Sequence, residues 1–152
     1  MDRLRLLAVD PDDLAVLSAT CQDAVVHPKD CVHRGRQKQF VMEFNRFVWE
    51  TAQKRRFALF SKPSYERRRA VLHFDRVSEV KSVGFDGQDS DAVLVLLAIR
   101  FTPSLEPSGT IDLVFAGAAM IRLTVEVIEA QLTDIGGAWS TKFKPDRDRE
   151  PA

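Results

Sequence analysis

Apolar residues occupy every second position in two successive stretches towards the end of the sequence. The first stretch has Ile111, Leu113 and Phe115, and the second, after a glycine-containing turn at residues 117–119, has Ile121, Leu123, Val125 and Val127. Successive side chains of a strand point to opposite faces, so this spacing buries one face and leaves the other in water. The pattern predicts an antiparallel hairpin that is buried on one side.

Shorter stretches of the same alternation predict further strands. They are residues 4–8, a hairpin of residues 31–34 and 39–49 around Gly35, residues 56–61, residues 70–85 up to the turn signal of Asp86 and Gly87, and residues 92–101. A basic loop at residues 62–69 precedes one of them. The last stretch is apolar on both faces except for Arg100, as in a central strand covered on both sides or a buried helix, and its Val and Ile content favours the strand.

One helix is predicted close to the N-terminus. Asp10 is a typical N-cap, Pro11 suits the first helical position, and Asp13 stands where a capping-box acid would. Apolar residues then recur at helical spacing on one face, namely Leu14, Leu17, Cys21, Ala24 and Val25. We expect the helix to end before His27, because the residue that precedes Pro28 is disfavoured in helical geometry.

One stretch fits two structures. Four of its apolar residues lie at helical spacing, namely Val125, Ile128, Leu132 and Ile135. A strand at residues 125–135 needs a bulge near residues 127–128 to keep the apolar side chains on one face. We predict the bulged strand, because the stretch is rich in β-branched residues and no N-cap precedes it.

Together these elements predict an α+β fold, predominantly antiparallel, with about six to eight strands in a sandwich or barrel and one N-terminal helix. A short strand followed by a long strand that runs to a glycine occurs twice, at residues 57–84 and 111–136. This predicts two similar hairpin units packed together; the alternative is that alternating strands resemble each other without duplication. We assign residues 1–140 to one globular domain and the charged residues 141–152 to a flexible C-terminal tail.

The composition is that of an ordinary soluble globular protein, with 45% hydrophobic and 29% charged residues among 152 and a formal net charge of zero. The first nine residues lack the apolar core of a secretory signal, and the apolar run at residues 92–99 is too short to span a bilayer. Two cysteines without an export signal indicate reduced thiols. We therefore expect a cytoplasmic protein without a membrane partner.

Charge is distributed unevenly along the chain. Residues 29–69 contain twelve Lys and Arg against four acids, whereas residues 70–135 contain four against ten. The candidate anion-binding residues of the basic segment are Arg34, Arg36, Arg55, Arg56, Arg67, Arg68 and Arg69. Guanidinium groups bind phosphate and carboxylate in a forked geometry, so a face that gathers these residues would bind an anionic ligand or RNA. The alternative is a solvated region whose arginines pair with Glu43, Glu50 and Glu66.

One group of residues has the chemistry of a zinc site. It consists of Cys21, His27, Cys31 and His33, but the spacing matches no standard zinc finger or ribbon. Cys21 lies on the apolar face of the predicted helix, where a thiol behaves as a small hydrophobic group. We therefore predict a core cysteine with surface histidines, and neither a metal nor a cofactor.

The sequence contains no glycine-rich phosphate loop, nucleophile elbow or His-x-x-x-His pair. Asp75, Glu126 and Asp134 have the chemistry of acid–base groups, but a lone acid in an alternating strand usually faces water. Asn45 and Arg46 interrupt the alternation of their strand, which indicates either a polar contact between strands or an edge or bulge. We assign no catalytic residue and do not favour an enzyme.

Several segments resemble a family of small bacterial proteins, the domain-of-unknown-function family 2948. They are residues 13–18 (DLAVLS) followed by 22–24 (QDA), residues 45–47 (NRF), residues 74–77 (FDRV), and residues 114–117 (VFAG) followed by 121–130. The resemblance extends over nearly the whole chain up to Trp139. The family has no assigned activity, cofactor or catalytic residue, so the resemblance implies a cytoplasmic bacterial protein and nothing about mechanism.

These observations favour a non-catalytic protein-interaction or regulatory module that binds itself or another protein through strand edges or oppositely charged surfaces. A second hypothesis is a binder of an anionic ligand or RNA through the basic segment at residues 34–69. A third is an enzyme of unknown class, whose site would form only on folding.

Overall fold

The computed structural model describes residues 4–48, 67–85 and 91–135. Within these residues it contains one α-helix, nine strands and a 3-10 turn at Gly35–Gln37. The helix α1 is Pro11–Thr20, and the strands are β1 (Arg5–Ala8), β2 (Val25–Arg34), β3 (Gln39–Phe47), β4 (Arg67–Phe74), β5 (Val77–Val83), β6 (Leu94–Pro103), β7 (Gly109–Phe115), β8 (Ala119–Val125) and β9 (Ala130–Asp134). No helix in this part of the chain has the length and apolar character to cross a membrane.

All nine strands belong to one antiparallel sheet. Its order is β1-β9-β4-β3-β2-β6-β7-β8-β5, and these nine described strands do not close into a barrel. The predicted α+β class with a single N-terminal helix is confirmed. The described residues contain nine strands rather than six to eight, because two stretches predicted as single long strands are each divided in two.

The two divided stretches pair with each other. Only Asp75 and Arg76 separate β4 from β5, and residues 126–129 separate β8 from β9. Since β4 pairs with β9 and β5 pairs with β8, the four strands form one long antiparallel ribbon. The N–H of Asp75 donates to the carbonyl of Glu129 at 2.9 Å, which holds the two breaks side by side. One half of this ribbon, β9 with β4, lies next to β1 at one end of the sheet order. The other half, β8 with β5, forms the opposite end.

Residues 125–135 contain strand and no helix, as predicted, but the predicted single bulged strand is wrong. β8 ends at Val125 and β9 begins at Ala130, and the two strands belong to different ladders. Ile128 lies in the break between them and is only 4% exposed. Ile128, which suggested a bulge, therefore packs into the core from the segment that connects β8 to β9.

Helix α1 begins as predicted and ends earlier. The N–H of Asp13 donates to Asp10 Oδ1 at 2.8 Å, and the Asp13 carboxylate accepts a hydrogen bond from the N–H of Val9. The helix ends at Thr20 rather than just before His27. The reason is Asp23, which adopts a φ of 68° and directs the chain into β2.

Two other elements differ in detail. Residues 67–69 belong to β4 rather than to a basic loop, because they pair with residues 45–47 of β3. β6 is a strand inside the sheet, as predicted, but it is not covered on both faces, since Leu97 is 44% exposed. A bulge between Leu96 and Ala98 lies at this point of the ladder with β7.

Some predictions lie outside the described residues. They are the strand at residues 56–61, the loop at residues 62–66 and the tail at residues 141–152. The predicted duplication needs the short strand at residues 57–60, so it stays a prediction. Its two long strands are the β4–β5 and β8–β9 stretches, which pair with each other.

The inward-facing side chains form one hydrophobic core with Leu14 and Leu17 of α1. Strand β1 joins this core by pairing with β9, where Leu6 lies opposite Leu132. Along β3 the inward positions are Phe40, Met42 and Phe44, and along β9 they are Ala130 and Leu132. The next inward position on each of these two strands is charged, which places an ion pair at the end of the core.

This ion pair joins Arg46 and Asp134, which are 0% and 1% exposed. The Arg46 Nε and Nη2 atoms donate to the two carboxylate oxygens at 2.8 and 2.9 Å, and the N–H of Leu4 donates to Asp134 Oδ2 at 3.0 Å. The prediction that Asp134 faces water is therefore wrong. Of the two interpretations of Arg46, the polar contact between strands is confirmed.

Gly84 follows β5 and lies against the turn between β7 and β8. Its φ is +87°, and a Cβ there would lie 2.4 Å from the carbonyl oxygen of Ala118. We expect Gly84→Ala to lower the free energy of unfolding by about 2–3 kcal/mol, because it adds backbone strain and a clash with main chain. The matched control is Gly117→Ala: its φ is +79° but no atom of the described residues lies within 4 Å of the added Cβ, so we expect a loss of about 1 kcal/mol. Urea denaturation of both variants measures the difference, and equal losses would contradict the clash.

Candidate protein-interaction face

The structure divides the predicted anion-binding residues between two places. Arg34 lies opposite Gln39 at the hairpin end of β2 and β3, whereas Arg69 lies opposite Asn45. These positions are six residues apart along β3, a distance of about 20 Å. Arg36 is in the 3-10 turn, beside Arg34. Arg34 and Arg36 therefore lie at one end of these strands, and Arg67, Arg68 and Arg69 lie at the other. Arg55 and Arg56 lie outside the described residues. A single site that gathers all seven arginines stays a prediction.

Arg69 already contacts two carboxylates. Its Nε lies 2.9 Å from Glu43 Oε2, and its Nη2 lies 3.4 Å from Asp30 Oδ2. Its Nη1 donates to the side-chain oxygen of Asn45 at 3.4 Å. This is the arrangement that the alternative interpretation predicted for Glu43. Arg69 therefore has its charge compensated within the chain.

The neighbouring arginines face other groups. Arg67 lies over the ring of Phe47, 5.7 Å from its centroid, and donates to the carbonyl of Asp23. Arg68 lies opposite Arg46 in the ladder and is half-buried. Burial raises the pKa of Asp134, but hydrogen bonds from Arg46 and the Leu4 N–H, with the charges of Arg46 and Arg68, outweigh it and lower that pKa. The charge of Arg68 therefore stabilises the carboxylate of Asp134, a group of the chain itself.

Both cysteine thiols have a raised pKa. Burial raises the pKa of Cys21 to about 12, with Arg46 opposing and Asp134 adding to the effect. Burial, with the charge of Asp30, raises the pKa of Cys31 to about 12 as well. A thiolate is the form that attacks electrophiles, so burial disfavours the reactive form of both thiols. In the described part of the chain, no group of three or more His, Cys, Asp and Glu residues is arranged to hold a metal ion.

A groove of about 460 Å³ lies between the start of α1, the β6–β7 connection and the β8–β9 connection. Its walls are mainly apolar, with Phe101, Pro107 and Ile128 among them, and Asp10 and Glu106 add two carboxylates. The Asp10 carboxylate already accepts the N–H of Asp13 as the helix cap. The groove has the size of a small-molecule site, but few polar groups converge in it.

The outer face of β6, β7, β8 and β5 carries apolar side chains where a solvated sheet face normally carries polar ones. The ladders place four of these residues side by side across the four strands. We call them the apolar row, and they are Ala98, Val114, Met120 and Val83. Val83 is 55% exposed, and the other three are half-buried. Leu97, at the bulge of β6, extends the row with an exposed side chain.

A row of charged residues runs beside the apolar row, two positions further along each strand. Its members are Arg100, Asp112, Arg122 and Lys81. Arg122 donates from Nε and Nη2 to the two oxygens of Asp112 at 2.7 and 2.9 Å, and these hydrogen bonds raise the pKa of Arg122. An apolar centre with a charged rim is the usual anatomy of a protein–protein interface. We call the two rows together the interaction face.

The interaction face ends at the edge of the sheet. β5 is the last strand in the sheet order, and among the described residues it has a ladder only with β8. On its other side the N–H of Val77 donates to the carbonyl of Lys38 at 2.9 Å. Ser78 to Val83 continue beyond that contact as an exposed edge, with Val80 half-buried.

Sequence reasoning missed the interaction face because a row across strands depends on strand order and register. One signal was present in the sequence. Val114 and Met120 are apolar, although they alternate with the buried residues of β7 and β8 and therefore lie on the outer face. Both strands thus carry apolar residues on the inner face and also on the outer face. That signal shows an unusual outer face, but it does not show which strands lie side by side.

Comparison with known proteins gives one match. No curated protein and no solved structure matches the chain. The family model described as "Protein of unknown function (DUF2948)" matches residues 4–147. Because this match covers nearly the whole chain, the protein belongs to that family.

Proposed function

We propose that this protein is a non-catalytic protein-interaction module and that its partner binds the interaction face. The apolar row supports this proposal, because apolar side chains from four adjacent strands lie side by side on the face turned away from the core. Contiguous apolar surface on a soluble domain marks a binding site. Removing it from water contributes about 25 cal/mol per Å² to association.

The rim indicates what the partner surface contains. Arg100 is exposed and positively charged, while Arg122 is paired with Asp112 and Lys81 lies 3.7 Å from Glu79. A complementary partner has apolar residues at the centre of its contact and an acidic residue opposite Arg100. Charged rims of this kind raise the association rate, whereas the apolar centre provides most of the affinity.

Two observations favour this function over the anion-binding and catalytic hypotheses. The described arginines are divided between two ends of the β2–β4 strands, and Arg69 is already paired with Glu43 and Asp30. Burial raises the pKa of both thiols, which disfavours the reactive thiolate.

The test is Val114→Lys, which places a charge at the centre of the apolar row. Protein recovered from cell extract on the immobilised chain is purified and titrated against wild type and variant by calorimetry. We expect saturable binding by wild type and a loss of at least about tenfold in affinity for Val114→Lys, because central apolar contacts carry most of the binding energy.

The matched control is Val41→Lys, the same substitution on the outer face of β3, where Val41 is also half-buried. We expect Val41→Lys to bind like wild type, and thermal unfolding of both variants shows that they are folded. Equal affinity of Val114→Lys and wild type would refute the proposal. Recovery of nucleic acid alone, released by salt, would favour the anion-binding hypothesis instead.

A further inference from the structure

The exposed edge strand β5 has a sequence that is nearly the same in both directions. It is Val77–Val83, VSEVKSV, and the only difference on reversal about Val80 is that Glu79 and Lys81 exchange places. Two copies of such a strand are complementary when they run antiparallel about a two-fold axis at Val80. Glu79 then lies opposite Lys81 of the second copy, Val80 opposite Val80, and Ser78 opposite Ser82.

The side chains of the two charged residues are placed for this pairing. Glu79 and Lys81 lie opposite Thr124 and Arg122 of β8, so both project from the outer face of the sheet. Their side chains are 56% and 72% exposed, and Lys81 Nζ lies 3.7 Å from Glu79 Oε2. A two-fold pairing would replace this single contact within the strand with two Glu–Lys contacts between copies.

We propose that two copies of this chain associate through their β5 strands and join their sheets into one. Cross-strand hydrogen bonds would satisfy the backbone groups of the exposed edge, and the directly opposed Glu–Lys pairs would fix the register. The ladder would stop at Ser78, because Val77 is bonded to Lys38 and a bulge follows it. This inference goes beyond the proposed function, since it concerns the backbone edge of β5. The paired residues share only Lys81 with the interaction face, and the apolar row of each copy stays open.

The second edge of the sheet lacks this complementarity. β1 has four residues, and an antiparallel pairing of two copies about its centre would place Arg5 opposite Ala8. Charged residues on a sheet edge usually prevent pairing with other strands. β5 carries one negative and one positive charge, at Glu79 and Lys81. These charges disfavour pairing with unrelated strands, whereas a second copy of β5 places opposite charges face to face.

The expected dimer is weak. A ladder of about five residues gives an interface below the roughly 1,200 Å² of standard stable complexes, so we expect association in the micromolar range or weaker. Sedimentation equilibrium of the full chain over a range of concentrations measures it. We expect a reversible monomer–dimer equilibrium without larger species, because a two-fold contact closes on itself.

Charge variants test the register. Glu79→Lys places Lys opposite Lys, and Lys81→Glu places Glu opposite Glu, twice in each dimer. We expect each single variant to weaken dimerisation by about tenfold or more, because two favourable pairs become unfavourable. We expect the double variant Glu79→Lys with Lys81→Glu to dimerise like wild type, since the exchange restores both pairs. An equimolar mixture of the two single variants would form heterodimers for the same reason.

The control is Arg5→Glu on β1, which is expected to leave dimerisation unchanged, and circular dichroism verifies that every variant is folded. A chain that stays monomeric up to about 1 mM, or dimerises equally well in all variants, would overturn the inference. Both results differ from failure of the proposed function, which is measured with Val114→Lys and a second protein. A monomeric chain that still binds that protein through Val114 would refute the dimer alone.

Discussion

Asp134→Ala lowers the free energy of unfolding by about 3–5 kcal/mol, because it removes the carboxylate from a buried arginine. Arg46 is 0% exposed and donates to both oxygens of Asp134. The substitution also removes the acceptor of the Leu4 N–H, which ties the N-terminal end of the described chain to β9. Burying the Arg46 guanidinium without a carboxylate costs more free energy than burying the ion pair.

Urea denaturation measures this loss, and the matched control is Asp112→Ala. Asp112 makes the same two-oxygen contact with Arg122, at 2.7 and 2.9 Å, but the Arg122 side chain is 49% exposed. We expect Asp112→Ala to cost less than about 1 kcal/mol, because water solvates the arginine that remains. Equal losses in the two variants would show that burial does not determine the effect.

The pH dependence of stability gives a second readout for the same pair. The pKa of Asp134 is lowered in the folded protein, as described above, so the unfolded chain binds a proton at higher pH than the folded one. The stabilisation is therefore present above the unfolded value of about 3.9 and is lost as the pH falls through the folded value. We expect the wild type to lose more stability than Asp134→Ala between neutral pH and the acid range.

Leu132→Ala lowers the free energy of unfolding by about 2–5 kcal/mol, because it deletes buried methyl groups and leaves a cavity. Leu132 is fully buried at the centre of β9, between Leu6 of β1 and Leu72 of β4. Leu105→Ala is the same chemical change at a position that is 85% exposed, and we expect it to stay within about 0.5 kcal/mol of wild type. Chemical denaturation of the two variants checks the prediction, and a small loss for Leu132→Ala would contradict the packing of β9 between β1 and β4.

Local features of the fold could be predicted because short segments determine them. The capping residues at Asp10 and Asp13 predicted the start of α1, and alternation predicted the hairpin of β7 and β8. The end of α1 was missed because Asp23 is not a residue type that forces a helix to stop. Its left-handed conformation depends on where the chain must enter β2.

The buried ion pair was only half predictable. The inward positions of β3 and β9 lead to Arg46 and Asp134, so alternation alone places both side chains towards the core. Their pairing depends on β4 lying between β3 and β9, and single-sequence patterns do not give strand order. The same limit applies to the apolar row and to the division of Arg34 from Arg69.

The pairing of β1 with β9 has a consequence for synthesis on the ribosome. Arg5 lies opposite Thr133 and Ala8 opposite Ala130, so β1, which precedes the other described strands, finds its neighbour only after almost every other described residue has emerged. Leu6 and Ala8, which pack in or against the core of the folded protein, therefore stay uncovered while the nascent chain grows. A protein with such a closing step is most exposed to chaperones and to aggregation late in translation.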